Sequence, residues 1–167
     1  MTSRSLSLVC RYSQMDLGRY QCLGMASVII NSLSPRGVDV GSLLVSEVLP
    51  AYRHSKIIFL FEAELIPVGF VTWAQLSKET EARILDSLDP WLHISEWAEG
   101  QSLWIRQCWL PARYFGEAIR LILNSMTFDS RVARHLSVRK GKVCVYEYDR
   151  IFLERLAGFL TRRNLTY

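Results

Sequence analysis

The sequence of 167 residues lacks the features that mark several large classes of protein. It has no run of about 20 apolar residues, the length that a membrane-spanning helix needs. Its N-terminal segment carries only a short apolar patch bounded by arginines, which is too short for the core of a secretory signal. No internal repeat, low-complexity tract or long linker divides the chain. These absences predict a cytoplasmic protein without a membrane span.

The four cysteines include no Cys-x-x-Cys pair and lie far apart in mainly apolar surroundings. They are Cys10, Cys22, Cys108 and Cys144. This spacing predicts reduced thiols rather than a disulfide framework or a metal site. We therefore expect no bound metal and no bound cofactor.

A formal net charge of +4 is mild for a chain of this length, and most of the charges are scattered. One basic cluster stands out near the C-terminus: Arg131, Arg134, Arg139, Lys140 and Lys142. No aromatic residues of the kind that stack on bases are interleaved with these charges, which disfavours nucleic acid as the partner. An ordinary solvated hairpin and a docking site for an acidic protein both remain open.

What the sequence does contain is enough apolar surface for one well-packed domain, since 50% of its residues are hydrophobic. We predict an N-terminal arm over residues 1–14 and a single domain over 15–167. Its centre is the apolar run 103–110, interrupted by Arg106 and Gln107, which is typical of a buried strand with one polar pair aimed at a site. A tolerated glutamine in a core strand would look the same.

Around that strand, hydrophobic spacing predicts a sequence of helices and hairpins. Helices are predicted over 15–32, over a short segment that Ser42 caps and Pro50 ends, and over 79–88, 112–126 and 151–163; hairpins are predicted for 57–62 with 68–73 and for 131–139 with 142–148. On the last helix, Phe152 and Phe159 are predicted to face inward with Leu153. The order predicts an α/β fold, a mixed sheet flanked by helices, and it resembles the acetyltransferase-like (GNAT-like) layout.

Short motifs along the chain are similar to those of the toxin-activating lysine acyltransferases, a bacterial family that modifies repeat toxins. Each motif is weak alone, but their order and spacing together are specific. The matching residues are Leu23-Gly24, Ser34-Pro35, Val48-Leu49-Pro50-Ala51, Pro67, Phe70, Trp73, Ala74, Trp97, Gly100, Trp104, Pro111, Arg134, Val138, Arg139, Gly141 and Lys142.

This resemblance implies transfer of a fatty acyl group from acyl carrier protein, as a thioester, to the side chain of an internal lysine in a protein partner. A lysine amine is protonated at neutral pH, so a group must accept a proton before the amine attacks. In the family a histidine is the base, and an aspartate is its electrostatic partner or an alternative base. The resemblance also assigns the basic residues Arg134, Arg139, Lys140 and Lys142 to docking of the acidic carrier protein.

Both family residues are replaced in this chain. Gly37 stands at the histidine position, and no histidine precedes His54. Gln107 stands at the aspartate position, and a glutamine cannot take up a proton near neutral pH. Loss of general acid/base help costs on the order of 100- to 10,000-fold in rate.

Other residues are candidates to replace the missing groups, although each also has a plain structural explanation. A thiol at Cys108 could accept an acyl group, yet a buried cysteine usually acts as a small hydrophobe. His54, and equally His93 and His135, could act as a base or be an ordinary surface histidine.

Two classes of function therefore remain open. In one, the chain is an acyltransferase with altered catalysis; in the other, it is a noncatalytic pseudoenzyme that acts as an adaptor, chaperone or regulator of a protein partner. The sequence leaves open the acyl chain length, the identity of the partner and whether the chain forms a homodimer.

Overall fold

The computed structural model describes residues 9–11, 18–34, 37–62, 66–87, 89–125, 132–139 and 142–164. In these ranges six strands form one sheet in the order β1-β2-β3-β4-β5-β6. The strands are β1 (Val9–Arg11), β2 (Ile57–Phe61), β3 (Pro67–Leu76), β4 (Ser102–Trp109), β5 (Val132–Arg139) and β6 (Lys142–Asp149). Neighbouring strands pair antiparallel, except β4 and β5, which are parallel. The predicted α/β fold with a mixed sheet is confirmed.

Helices cover both faces of this sheet. They are α1 (Arg19–Leu33), α2 (Val40–Leu43), α3 (Leu49–Arg53), α4 (Lys78–Ser87), α5 (Phe115–Ser125) and α6 (Arg150–Asn164), with a π-helical segment at Leu44–Val48 and 3-10 turns at Ile94–Trp97 and Ala112–Tyr114. Residues of α1 and α3 pack in one apolar cluster with one face of the sheet, and α5 packs in a second cluster with the other face.

The alternation of β2 and β3 divides their side chains between these two clusters. Phe59 and Phe70 face α1, with their rings 5.7 Å apart, whereas Ile58 and Trp73 face α5. Because both faces are covered, β2 is buried along its whole length, which explains its uninterrupted apolar sequence.

Both predicted hairpins are present, as β2–β3 and β5–β6, and β4 is the predicted strand at the centre. It is less buried than predicted, because only Leu103 and Trp104 are buried and Cys108 is exposed. The predicted order of helices and strands is also found. β1 was not predicted and lies within residues 1–14. The division at residue 14 stays a prediction.

The helix at 40–53 begins and continues differently from the prediction. Asp39, rather than Ser42, caps it, because the Asp39 carboxylate accepts a hydrogen bond from the Ser42 backbone N–H at 3.1 Å. Pro50 lies near the start of α3 instead of ending the helix. The π-helical turn precedes it, with the Leu49 N–H bonded to the Leu44 carbonyl, so the chain continues in helical form through the proline.

The inward side of α6 is narrower than predicted. Leu153 is buried together with Ala157, but Phe152 and Phe159 are exposed. Leu153 and Ala157 are four residues apart and form the stripe that faces the protein, while the Phe152 ring stacks on Tyr148.

The parallel pair at the centre of the sheet separates after three residue pairs. Leu103, Trp104 and Ile105 pair with 133–135, and the last pair is Ile105 with His135. Beyond that point β4 continues to Trp109 and β5 to Arg139 without pairing to each other, although β5 stays paired with β6. The sheet therefore opens between β4 and β5.

Candidate functional site

A cavity of about 460 Å³ lies where β4 and β5 separate, between the sheet and helices α5 and α6. Its volume falls in the range of small-molecule and cofactor sites, roughly 300–1,000 Å³. Most of the lining is apolar, including Ile105, Leu110, Phe115, Ile119 and Leu156. The described lining contains no Asp, Glu, Lys or Arg. Such a wall fits an apolar ligand and excludes a strongly charged one.

A small set of polar groups interrupts this apolar wall: Cys108, His135, Ser137, Tyr146 and Tyr148. Strand alternation explains why they share the cavity. His135 and Ser137 are two residues apart on β5, and Tyr146 is paired with His135 on β6. An apolar chamber with a few polar groups on one side is the usual form of a ligand site.

The imidazole of His135 has a defined orientation. Its Nδ1 lies 3.1 Å from the backbone carbonyl oxygen of Ile105, the residue with which it pairs. Because a carbonyl can only accept a hydrogen bond, Nδ1 donates. The neutral ring then carries its lone pair on Nε2.

Cys108 opens into the same cavity, beyond the point where the strands separate. Cys108 is exposed, not buried, yet nearby protein atoms desolvate its thiol and raise the pKa to about 11. Cys108 therefore has the position of a nucleophile, but its thiol is mainly protonated at pH 7.

Gln107, beside Cys108 on β4, is held by two hydrogen bonds. Its backbone N–H donates to Thr72 Oγ1 at 3.1 Å, and its side-chain oxygen accepts from the Trp109 indole at 3.2 Å. Trp109 packs against the cluster under α1, whereas Cys108 lines the cavity on the other face. The side chains of Gln107 and Cys108 therefore lie on opposite faces of the sheet.

A bulge in β4 places a buried ion pair just before this point. Thr72 is opposite Gln107 but Trp73 is opposite Ile105, so Arg106 is the extra residue. Its guanidinium forms two hydrogen bonds with Glu47, at 2.6 and 3.3 Å, and lies 5.9 Å from the Trp97 ring. Arg106, one member of the predicted polar pair with Gln107, thus links β4 to the π-helical segment.

The other predicted site residues lie elsewhere. Gly37 is exposed in the turn before α2, with a φ of 97°, and His54 caps the end of α3. Neither is part of the cavity lining. Val38, next to Gly37, packs on the same cluster as Trp109, so the segment after Gly37 shares a face with Gln107.

In the basic hairpin, Arg134 is already engaged by two carboxylates. It lies 2.7 Å from Glu81 and 2.7 Å from Glu147, and it donates a hydrogen bond to Ser102. Arg139 and Lys142 are the facing residues at the end of β5 and β6. Their side chains, with Lys140 and Gly141, lie outside the described residues.

Sequence reasoning gave His135 no preference over the other histidines and did not foresee the cavity. The available signal was alternation, which puts His135 and Ser137 on one face of a strand. The parallel pairing of β5 with β4, which brings that face to Cys108, joins segments about 30 residues apart and leaves no local mark.

Among the described residues, no cluster of three or more His, Cys, Asp or Glu side chains could hold a metal ion. Over the same part of the chain, no helix is both long and apolar enough to cross a bilayer.

Fold and cavity together define an acetyltransferase-like α/β protein with a mainly apolar cavity at the opening of its sheet. A family model for the RTX toxin acyltransferases, HlyC, matches residues 16–149. The chain belongs to this family.

Two relatives show the same similarity over shorter segments. The chain is 33% identical over 64 residues to the RTX-II toxin-activating lysine-acyltransferase ApxIIC of Actinobacillus pleuropneumoniae, covering 38% of this chain and 39% of ApxIIC. It is 32% identical over 82 residues to the leukotoxin-activating lysine-acyltransferase LktC of a Pasteurella haemolytica-like species (strain 5943B), covering 49% of this chain and 47% of LktC. The matched segments thus span less than half of each relative.

Proposed function

We propose that this protein is a cytoplasmic protein-lysine acyltransferase with altered catalysis. It takes a fatty acyl group from acyl carrier protein and transfers it to an internal lysine of a protein partner. The observation that supports this most directly is the apolar cavity of about 460 Å³ at the opening between β4 and β5. A fatty acyl chain matches its uncharged lining and gains free energy from leaving water, about 0.8 kcal/mol for each buried methylene.

In this proposal the thioester carbonyl lies near the polar groups of the cavity wall, and the apolar remainder holds the chain. The entering lysine must lose a proton before or during its attack. Gln107 cannot accept it, because an amide does not take up a proton near neutral pH. Gly37 has no side chain to do so. The chemistry therefore depends on another group or on a slower, unassisted reaction.

Docking of the acidic carrier protein is assigned to the basic end of the β5–β6 hairpin. Arg134 is balanced by Glu81 and Glu147, so we give the larger share of the attraction to Arg139, Lys140 and Lys142. Long-range attraction of this kind mainly raises the association rate and weakens with added salt.

The first experiment tests whether the cavity binds the acyl chain. Purified protein is titrated with palmitoyl-loaded acyl carrier protein, and binding is compared with the unloaded carrier. Ile119→Trp fills part of the cavity and should weaken binding of the loaded carrier at least tenfold. Val28→Trp is the matched control, because Val28 is 64% exposed on α1. Equal affinity for loaded and unloaded carrier would contradict the proposed chain site.

The second experiment tests transfer itself. The protein is incubated with palmitoyl-loaded carrier and either a candidate partner or concentrated Nα-acetyl-lysine amide, and acyl gain is followed by mass spectrometry. Transfer by the wild type is expected. Cys108→Ala tests whether the thiol accepts the acyl group, and His54→Ala tests whether that histidine has replaced the missing base.

A noncatalytic adaptor is the second candidate, favoured by the replacement of both family residues by Gln107 and Gly37. If the protein is an adaptor, it should bind the partner, and the partner should gain no acyl group. Activity that appears only in a Gln107→Asp, Gly37→His double variant would support this candidate, because the scaffold would then be intact and only the proton acceptor lost.

A further inference from the structure

We propose that His135 is the proton acceptor for acyl transfer in this protein. The inference rests on the proposed acyltransferase function and identifies the group that does the work left undone at Gln107 and Gly37. Its basis is the place and the orientation of one imidazole in the cavity wall.

The place of His135 follows from the sheet. It forms the last residue pair between β4 and β5, so its side chain stands where the two strands begin to separate. It lines the cavity together with Ser137, two residues further along β5. The side chain is half-buried, which leaves it open to a substrate while limiting its contact with water.

The orientation leaves the reactive nitrogen available. Nδ1 donates to the Ile105 carbonyl at 3.1 Å, so the lone pair is on Nε2. Within the part of the chain that the structure describes, the ring's hydrogen bond is to the Ile105 carbonyl. A backbone carbonyl that fixes one ring nitrogen and leaves the other free is the arrangement required of a general base.

The surroundings of His135 contain few competing charges. Among the described residues, the titratable groups that share its cavity are Cys108, Tyr146 and Tyr148, and the described lining from α5 and α6 is apolar. The flanking charges, Arg134 and Glu147, are paired with each other. Cys108 is a weaker candidate, because desolvation by nearby protein atoms raises the pKa of its thiol to about 11.

The step balances without any added reagent. His135 Nε2 accepts the ammonium proton of the lysine, and the neutral amine then attacks the thioester carbonyl carbon, so that a C–N bond forms. The nitrogen loses its second surplus proton to water. The C–S bond breaks, and the departing carrier thiolate receives the first proton from the imidazolium. The products are an amide and a free thiol, and His135 returns to its neutral form.

The test separates a base from a structural residue. His135→Asn keeps an amide donor near the position of Nδ1, and hence the bond to Ile105, but removes Nε2. His93→Asn is the matched control, because His93 is exposed, lies outside the cavity lining and bonds to Ser95. Transfer of palmitoyl from its carrier to Nα-acetyl-lysine amide is measured by release of the carrier thiol, alongside binding of the loaded carrier.

We expect His135→Asn to transfer about 100- to 10,000-fold more slowly, with binding of the loaded carrier within twofold of the wild type. His93→Asn should match the wild type in both. Imidazole added to His135→Gly should restore part of the rate above a protein-free imidazole reaction, which a purely structural histidine would not allow.

The two proposals fail in different ways. Wild-type transfer that His135→Asn leaves unchanged would overturn the role of His135 and leave the acyltransferase proposal standing. A wild type that binds the loaded carrier but transfers nothing would overturn both and favour the adaptor. If His135→Asn lost binding together with transfer, the residue would be part of the binding wall and not the base.

Discussion

The guanidinium of Arg106 and the carboxylate of Glu47 form a bidentate pair, with Nη2 2.6 Å from Oε1, between side chains that are only 6% and 10% exposed. This contact ties the bulge of β4 to the π-helical segment between α2 and α3. Both irregularities meet at one ion pair, directly before Gln107. The pair therefore holds the shape of β4 at the point where the sheet opens.

Removing one member of this pair should destabilise the fold strongly. Arg106→Met leaves the Glu47 charge buried without a partner and should lower the free energy of unfolding by about 3–5 kcal/mol. Adding Glu47→Leu should recover most of that loss, because a buried ion pair contributes little beyond an apolar pair of similar volume. Urea unfolding of the wild type, the single variant and the double variant measures this. Equal stability of wild type and single variant would show that the charge is not buried.

The same variant has a predictable dependence on pH. Burial raises the pKa of Glu47 above its ordinary 4.5, with Arg106 opposing the shift. A carboxyl whose pKa is raised in the folded state stabilises the fold when protonated, below the unfolded value, and this stability is lost as pH rises through the folded pKa. Arg106→Met removes the opposing partner, so its deficit should shrink toward pH 4 and grow above it. A deficit independent of pH would contradict this assignment.

Cys108 should report on both its protonation and the content of the cavity. With a pKa of about 11, its alkylation by iodoacetamide should be slow at pH 7 and rise roughly tenfold for each pH unit up to about pH 11. Bound palmitoyl carrier should slow the reaction further. Peptide mapping distinguishes Cys108 from Cys22, which is buried in the other cluster and serves as the internal control. Rapid alkylation at pH 7 with no protection would exclude the proposed chain site.

Arg134 allows a comparison of two carboxylates that hold the same guanidinium. Glu81 is 19% exposed and also accepts hydrogen bonds from Ser102 and the buried Trp104, at 2.7 and 2.9 Å, whereas Glu147 is 57% exposed. Glu81→Ala should cost about 1–3 kcal/mol because it leaves these donors unpaired. Glu147→Ala should change stability by no more than about 1 kcal/mol. If urea unfolding gave the same loss of stability for both variants, the ion pair with Arg134 would account for the whole loss and the hydrogen bonds from Ser102 and Trp104 would contribute nothing.

Two glycines should respond in opposite directions to alanine. Gly37 has a φ of 97°, which a side chain rarely adopts, so Gly37→Ala should cost about 1–3 kcal/mol. Gly24 lies inside α1 with open space around it, so Gly24→Ala should stabilise by about 0.5–1 kcal/mol. Thermal unfolding of the two variants measures both signs. A histidine at position 37 would be strained in the same way as an alanine. The stability of the Gln107→Asp, Gly37→His double variant should therefore be measured together with its activity.

The residues that carry the family resemblance are largely structural in this fold. Trp97 and Trp104 are fully buried, as are Phe70 and Ala74. Gly100 approaches the Leu76 backbone so closely that an added Cβ would lie 2.0 Å from its carbonyl oxygen. A motif made of such residues predicts the architecture reliably because packing requires them. It says little about chemistry.

Local pattern was sufficient for the elements themselves. Alternation and helical spacing predicted the β2–β3 and β5–β6 hairpins, the central strand β4 and the helix that follows Pro111. These features depend on neighbours within one or two turns or one hairpin. The same reasoning was wrong about Ser42, Pro50, Phe152 and Phe159, where a cap, a π-helical turn and an unforeseen exposed side decided the result.

By itself, then, the sequence determined the α/β class and the order of the elements, and it places at 107 and 37 a glutamine and a glycine, neither of which can accept a proton. Only the tertiary structure decided that β4 and β5 run parallel and separate after Ile105, and that the resulting cavity brings Cys108 and His135 to one wall. The reason is physical. Periodicity records which face of an element is apolar, but which elements become neighbours is settled by contacts between segments far apart in the chain.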